Sequence, residues 1–217
     1  MNGSTERATS FGQTAPPSMV DRFGIWLSAR SIARRVGDLS NKRVADIGCG
    51  FDATLGRRLA DVASQVTLFD LALADDLAHD PRFTVLVGPV EVELAAIPDD
   101  SFDVVFCVSV LEHLQDDRGA LLAFHRVLAR DGVLYLNVPS WRGKLALEFS
   151  AFKLGLSPAV EMDDHKRYYD PRDLWPLLVE AGFAPHAIEC RRHKFGLNTY
   201  AVCRVADRIV APATEER

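Results

Sequence analysis

A short apolar strand that runs into a carboxylate and two closely spaced glycines constrains this chain more than any other stretch. The stretch is Val44 to Ala53, with the sequence VADIGCGFDA. Its glycines satisfy the pattern G-x-G-x-x-[GA], in which a tight turn joins a strand to the N-terminus of a helix and brings the backbone close to a ligand. The pattern predicts a ligand site at the end of the first strand, but by itself it does not choose the ligand.

Strand and helix periodicities alternate on both sides of this turn. Five apolar stretches are predicted to be strands: RVADIG, QVTLFD, FTVLVG, Phe102 to Ser109, and VLYLNVP after the turn at Asp131-Gly132. The predicted helices are Ile25 to Val36, Ala53 to Ala63, a short one ending near His79, Arg118 to Leu128, and Asp173 to Ala181. Such alternation is typical of a parallel, doubly wound Rossmann-like sheet with helices on both faces. Two further stretches, FAPHAIECR and GLNTYAVCRV, are predicted to pair as an antiparallel hairpin that closes the sheet.

The chain is predicted to form one domain. Its 217 residues suffice for one well-buried core and are too few for two ordinary domains with a linker. Residues 1–17, rich in Gly, Ser, Thr and Pro, are predicted to be disordered, and so is the tail at 212–217, which leaves the domain at 18–211. Residues 140–170 fit no sheet element and follow the fifth strand, so they are predicted to form a lid at the carboxyl edge, where doubly wound sheets bind ligands.

Composition excludes several classes of protein. A net charge of −5 argues against a general nucleic-acid binder. The four cysteines have no C-x-x-C spacing, so they predict reduced thiols and no metal site, as in a cytoplasmic protein. No apolar run approaches the roughly 18 residues that span a bilayer. The N-terminal residues lack an apolar core and are not expected to be a secretory signal. The apolar residues of the lid still leave peripheral membrane contact open.

The sign of the charge beside the glycine turn discriminates between ligands. Asp46 would place a carboxylate where NAD puts its pyrophosphate, and two anions would repel. S-adenosylmethionine reverses the argument because it carries an ammonium and a sulfonium and no phosphate, and the ammonium could meet Asp46 directly or through water. Asp70 ends the second strand and could accept both ribose hydroxyls of either ligand, so it does not discriminate.

Five segments in order resemble the class I S-adenosylmethionine-dependent methyltransferases, most of all the small-molecule group that includes quinone-biosynthesis enzymes. They are VADIGCGFD, VTLFDL, IPDDSFDVVFCVSVLEHL, LARDGVLYLNVP and HKRYYDPRDLWPLLVEAGF, within residues 44–205. The resemblance implies a seven-stranded sheet in the order 3-2-1-4-5-7-6 with strand 7 antiparallel. It also implies methyl transfer from S-adenosylmethionine, with cofactor contacts at Asp46, Gly48, Gly50 and Asp70.

The cofactor site has further candidates and two departures from the family pattern. Leu71 is expected to pack on the adenine or simply to fill the core, and the backbone at Val108 and Ser109 is expected to line the methionine end of the cofactor. The third family glycine is Asp52 here, and Pro89 stands where an acidic residue would meet the adenine amino group.

Methyl transfer requires a nucleophile placed about 3 Å from the methyl carbon and, often, removal of a proton. His165, in the lid segment DDHKRYY, is the leading candidate for the base, and His113 after the fourth strand is the second. Substrate contacts are expected from Trp141, Lys166, Arg167 and Tyr168. Each has a structural alternative: His113 could pack against the next helix, and His165 could tie down the lid. No metal site is predicted.

These observations predict an enzyme that methylates a small-molecule, glycan or lipid-linked acceptor, on oxygen rather than on nitrogen or carbon. An alternative is a non-catalytic module that binds the cofactor or a partner protein. A nucleic-acid methyltransferase is disfavoured by the charge and because the fourth strand ends in Cys-Val-Ser-Val, not in an Asn-Pro-Pro-Tyr type motif that holds a flipped base. The sequence does not specify the oligomeric state.

Overall fold

The fold is a seven-stranded mixed sheet with helices packed on it. The computed structural model describes residues 9–14, 24, 27–28, 30–32, 34–144 and 167–206. Along the chain the strands are β1 (Arg43–Ile47), β2 (Gln65–Asp70), β3 (Phe83–Val87), β4 (Phe102–Val108), β5 (Leu128–Pro139), β6 (Ile188–His193) and β7 (Asn198–Arg204). The α-helices that follow β1 are α1 (Thr54–Leu59), α2 (Asp75–His79), α3 (Val90–Ala95), α4 (Asp117–Val127) and α5 (Pro171–Glu180).

The predicted strand order is confirmed. The sheet runs β3-β2-β1-β4-β5-β7-β6, and β7 pairs antiparallel with both β5 and β6. The central strands are almost continuously buried, as strands covered on both faces must be. One apolar cluster lies between the sheet and α3, α4 and α5, and a second lies on the opposite face beneath α1 and the helical residues described between 24 and 35.

Three predicted boundaries differ from the structure by four residues or more. The closing strand FAPHAIECR was expected from Phe183, but β6 begins at Ile188, after a 3₁₀ turn at Pro185–Ala187. The helix after the glycine turn was expected to reach Ala63, but α1 ends at Leu59 and the chain turns at once, so that the Ser64 N–H donates to the Lys42 carbonyl and β2 starts beside β1. The fifth strand was expected to start after Asp131-Gly132. It begins instead at Leu128, which pairs with Phe102 before the register shifts.

One helix was not predicted at all. Helix α3 has the sequence VEVELA, whose apolar and acidic residues alternate with the period of a strand. It is helical because Val90 and Leu94, four residues apart, both bury against the core, and because the Pro89 carbonyl accepts from the Val92 and Glu93 N–H groups.

The ends of the longer helices follow from their sequences. The Asp116 side chain caps α4 by accepting from the Gly119 N–H at 2.8 Å. Asp170 and Asp173 form a reciprocal capping box at the start of α5, and Gly182, with φ +104°, follows its end.

The chain's predicted termini and lid lie mostly outside the described residues. This holds for 1–8, 15–17, 145–166 and the tail from 207. Residues 9–14 are described, and Ser10 among them is buried and hydrogen-bonded. Among the described residues, no helix combines the length and the apolar character needed to cross a bilayer.

Candidate functional site

The predicted cofactor residues meet at the carboxyl edge of the sheet. Asp46 lies near the end of β1, Asp70 is the last residue of β2, and Val108 is the last residue of β4. Because β1 pairs in parallel with both β2 and β4, these three ends lie side by side. The glycine turn leaves β1 at the same edge.

The glycine turn approaches its neighbours too closely for side chains. Gly48 and Gly50 have φ of +65° and +77°, which favour glycine. A Cβ on Gly48 would lie 2.2 Å from Val110 Cγ2, and one on Gly50 would lie 3.3 Å from the Phe11 carbonyl oxygen. The N–H groups of Gly48 and Cys49 donate to the Phe69 carbonyl at 2.8 and 3.1 Å, which fixes the turn against β2.

Asp46 is a buried carboxyl group whose charged form is disfavoured by its surroundings. Its residue is 2% exposed, and its Oδ2 has no hydrogen-bond partner among the described residues. Burial and, second, the negative charge of Asp70 raise the pKa of Asp46 to about 7, although the Gly56 N–H acts in the opposite direction. A buried carboxylate of this kind fits a cationic group of a ligand and disfavours a phosphate.

Asp70 is held by backbone donors on both of its oxygens. Gly50 N–H donates to Oδ2 at 2.7 Å, and Leu71 N–H donates to Oδ1 at 2.8 Å. The Ser10 hydroxyl also donates to Oδ1. These bonds orient the carboxylate at the glycine turn.

The chain is exposed just after β4, where the sequence predicts the methionine end of the cofactor, whereas the end of β5 is buried. Ser109 is exposed with φ +58°, and its N–H donates to the Asn137 carbonyl at 2.8 Å. Val108 and Leu71 are half-buried. No contact tests the predicted cofactor roles of these residues, so they stay predictions.

The sequence reasoning missed two polar residues, one near the end of β5 and one directly after β6. Asn137 is fully buried, its amide nitrogen lies 3.4 Å from Ser28 Oγ, and its Oδ1 has no partner among the described residues. Burial lowers the pKa of Lys194 to about 8, against the opposing charge of Glu112. In the sequence, Lys194 belongs to the basic run Arg191-Arg192-His193-Lys194, and such a run is more often a solvated strand end than a phosphate site.

The 3₁₀ turn Leu111–His113 follows β4 and contains the second candidate base. Glu112 is 1% exposed, and His113 is half-buried. The turn therefore faces the core as much as the edge, and the choice between a catalytic and a packing role for His113 stays open.

The predicted substrate residues at either end of the lid lie together. Trp141 donates from Nε1 to Asp173 Oδ2 at 3.1 Å, and its ring lies 5.7 Å from that of Tyr168. The Arg167 guanidinium pairs with the buried carboxylate of Asp117, which also accepts from the Tyr169 hydroxyl at 2.9 Å. Arg167 thus has an anionic partner within the protein. His165 and Lys166 lie outside the described residues.

Metal and disulfide chemistry find no support in the described part of the chain. The residues described there contain no group of three or more His, Cys, Asp or Glu side chains placed to hold a metal ion. All four cysteines are free thiols.

The sequence is similar to known methyltransferases. Residues 45–136 match the family described as a methyltransferase domain. A ubiquinone biosynthesis O-methyltransferase of Xanthomonas oryzae is 36% identical over 108 residues, which are 46% of this chain and 44% of that relative. A protein of the same name from Neisseria meningitidis is 25% identical over 181 residues, covering 78% of this chain and 75% of the relative. The chain therefore matches less than half the length of the Xanthomonas relative.

The fold is similar to solved methyltransferases at lower identity. An S-adenosylmethionine-dependent methyltransferase from Mesorhizobium loti superposes with a TM-score of 0.59 at 17% identity, over 82% of this chain and 96% of that one. A phosphoethanolamine N-methyltransferase of Haemonchus contortus, solved with S-adenosylhomocysteine, gives 0.61 at 22% identity, over 77% of this chain and 39% of that one. At such identities the likeness concerns the fold.

Proposed function

We propose that this chain is a class I S-adenosylmethionine-dependent methyltransferase that transfers a methyl group to an oxygen of a small-molecule, glycan or lipid-linked acceptor. Its sheet order and the match of residues 45–136 to a methyltransferase domain support this proposal. The observation that carries the proposal is the pair of carboxylates at the glycine turn. Asp46, buried with its Oδ2 unbonded among the described residues, suits a cation, and Asp70 suits a diol.

The chain's own residues would hold the cofactor from two sides. Asp70 would accept the ribose hydroxyls, Asp46 would face the ammonium directly or through water, and Gly48 and Gly50 would admit the backbone close to the ligand. When bound, S-adenosylmethionine supplies a methyl group activated on a sulfonium. The remaining task of the protein is to place the acceptor and to accept its proton.

Two observations favour oxygen as the acceptor atom. The curated relatives are named O-methyltransferases, and Lys194 places a positive charge directly after β6. A hydroxyl group must lose a proton as it is methylated, and negative charge develops on its oxygen. Lys194 follows β6, its pKa is lowered to about 8, and it would stabilise such a charge. We assign proton removal to His165, with His113 as the alternative, and acceptor contacts to Trp141, Tyr168, Lys166 and Arg167.

Calorimetry with the full chain tests the cofactor. S-adenosylmethionine and S-adenosylhomocysteine should bind in the micromolar range, whereas NAD should give no comparable heat. Tighter binding of NAD would contradict the argument from Asp46. Transfer of labelled methyl to a panel of phenols, amines and thiols would then test the acceptor atom, and phenols should be preferred.

Replacing Asp70 tests the diol contact. Asp70→Ala should weaken S-adenosylhomocysteine binding by roughly 1.5 to 3 kcal/mol, the usual scale for hydrogen bonds to a charged group. Asp61→Ala is a matched control because its exposed carboxylate pairs with Arg82 away from the glycine turn. Equal affinity of the parent chain and Asp70→Ala would place the cofactor elsewhere.

Replacing His165 tests the base. His165→Ala should leave the cofactor dissociation constant nearly unchanged while turnover falls by about 10²- to 10⁴-fold, the range for a general base. The pH-rate profile of the parent should rise near pH 6 to 7, and this limb should be absent in the variant. An unchanged limb together with a lower melting temperature would assign His165 a structural role.

A further inference from the structure

Residues Ser10–Gln13 form a turn that is docked on the glycine turn, and we call them the docked turn. The Ser10 N–H donates to the Gln13 side-chain oxygen at 3.0 Å, and the Gln13 N–H donates to the Ser10 carbonyl at 3.2 Å. Ser10 is only 5% exposed, although it is followed by the polar and glycine residues that predict disorder. A buried serine in such a segment implies specific contacts.

The docked turn contacts two residues that are predicted to bind the cofactor, Asp70 and Gly50. The Ser10 hydroxyl donates to Asp70 Oδ1 and accepts from the Ala72 N–H at 2.7 Å. The Phe11 carbonyl accepts from the Phe51 N–H at 2.8 Å. The side chain of Phe11 covers Gly50, since a Cβ there would lie 3.6 Å from Phe11 Cδ1. Asp70 and Gly50 are the residues that the proposed function assigns to the cofactor.

Counting acceptor sites shows that Asp70 has too few left for a ribose. A carboxylate offers about four lone-pair positions, two on each oxygen. Leu71 N–H and the Ser10 hydroxyl occupy both positions of Oδ1, and Gly50 N–H occupies one of Oδ2. One position remains, whereas a ribose diol presents two donors. The two backbone donors belong to the fixed glycine turn and to Leu71, the residue directly after β2, so Ser10 is the donor that can leave.

We propose that the docked turn is an internal competitor of the cofactor, in which the Ser10 hydroxyl occupies Asp70 in place of a ribose hydroxyl and must be released when the cofactor binds. This inference rests on the proposed function, because it assumes that Asp70 accepts the ribose hydroxyls. The Ala72 N–H then loses the Ser10 oxygen and becomes available to the ligand.

Competition of this kind has a measurable consequence for affinity. Only the fraction of molecules with the turn released is competent to bind, so the apparent dissociation constant is the intrinsic one divided by that fraction. Weakening the docked turn raises the fraction and tightens cofactor binding. A residue that merely supports the folded site would give the opposite result when removed.

The first experiment removes the Ser10 hydroxyl in the full chain. Ser10→Ala should lower the dissociation constant of S-adenosylhomocysteine about three- to tenfold, because the docked turn loses its bonds to Asp70 and to Ala72. Ser101→Ala is the matched control. The Ser101 hydroxyl donates to the Pro98 carbonyl at 2.7 Å, just before β4 and at the opposite edge of the sheet. The Ser101→Ala variant should therefore bind S-adenosylhomocysteine with the affinity of the parent.

The second experiment follows the turn itself. Hydrogen–deuterium exchange of the peptide that contains residues 9–14 should be slowed in the free protein by the bond from Gln13 N–H to the Ser10 carbonyl. Saturating S-adenosylhomocysteine should increase deuterium uptake there, although ligands usually reduce uptake at the segments they contact. In Ser10→Ala the uptake should already be high without ligand.

The outcomes separate this inference from the proposed function. If the parent chain binds neither S-adenosylmethionine nor S-adenosylhomocysteine, the proposed function fails and this inference fails with it. If the parent binds but Ser10→Ala binds equally or more weakly, or uptake at residues 9–14 falls on binding, the proposed function stands. The docked turn would then be a cover over the bound cofactor or a bystander, and competition would be excluded.

Discussion

Single residues at this site carry charges that the fold makes costly. Asp46 is buried beside the carboxylate of Asp70, and the uncharged form of Asp46 is therefore favoured, with its pKa raised to about 7. A raised carboxyl pKa means that the folded state binds a proton more tightly than the unfolded chain does. Stability from this group is present at low pH and is lost as pH rises from about 4 through about 7.

The ammonium of the cofactor should reverse this preference. At pH 6, where free Asp46 is mostly protonated, binding of S-adenosylhomocysteine should release close to one proton, and affinity should increase as pH rises from 5.5 to 7. Calorimetry in buffers of different ionisation enthalpy measures the proton count. In Asp46→Asn both the proton release and the rise in affinity should be absent, whereas Asp61→Asn, which is exposed, should behave as the parent.

A parent chain that binds S-adenosylhomocysteine with no proton release would refute ionisation of Asp46 on binding. That outcome would leave the diol contact untouched, because Asp70 is a different group with different partners.

The sequence predicted the positions of Asp46 and Asp70 because both end apolar strands, and parallel strands end at one edge. It could not predict the partners of Asp70, because the Ser10 hydroxyl is 60 residues away in the chain and lies in a segment without periodicity. Lys194 and Asn137 were missed for a related reason: their burial results from packing between distant segments and leaves no local pattern.

At the scale of elements, the glycine turn joins β1 to α1 through backbone conformations and close contacts. Two factors would destabilise the turn if a side chain were added at a glycine, a left-handed backbone conformation and a close contact with a neighbouring side chain, and they can be separated. Gly48 has both a positive φ and a Val110 side chain where a Cβ would lie, whereas Gly37 has φ +88° and no atom within 4 Å of such a Cβ. Ala53, the residue that precedes α1, also has a positive φ, of 44°, in the region where the family pattern has glycine at position 52.

Gly48→Ala should therefore destabilise the fold more than Gly37→Ala. Left-handed backbone strain alone costs about 1 kcal/mol or more, and the 2.2 Å contact adds to it by displacing Val110. Chemical denaturation of the two variants measures the difference. Val110→Ala in the Gly48→Ala background should recover part of the loss, because it removes Cγ2 but not the strain.

If Gly37→Ala proved as destabilising as Gly48→Ala, or if Val110→Ala gave no recovery, contact with Val110 would not be the reason that a side chain at Gly48 is destabilising.

Element boundaries show why secondary structure was only partly predictable. Helix α3 carries a strand-like period, and its helical state is chosen by burial of Val90 and Leu94 against the sheet. Strand β5 begins before Asp131-Gly132 because Leu128 finds a partner in Phe102 across the register shift.

The whole molecule was the most predictable level. Alternating strands and helices predicted the doubly wound sheet. The resemblance to class I methyltransferases implied the order β3-β2-β1-β4-β5-β7-β6, which is confirmed. The acceptor was the least predictable, because the stretch between Lys144 and Arg167 that would contact it fits no sheet element, and nothing in its periodicity fixes its shape.

A ligand that binds only the folded domain should stabilise the whole molecule. At a concentration about 100 times its dissociation constant, S-adenosylhomocysteine should add about 2.7 kcal/mol to the free energy of unfolding. For a domain of this size that corresponds to a rise in melting temperature of about 5 to 11 °C. NAD at the same concentration should give no comparable rise.

The Asp70→Ala variant, measured at the parent's ligand concentration, should show a rise in melting temperature of about 1 to 5 °C, because less of it binds the ligand. Asp61→Ala should match the parent. An equal rise with NAD, or an undiminished rise in Asp70→Ala, would mean that the stabilising ligand does not use the edge where β1 and β2 end.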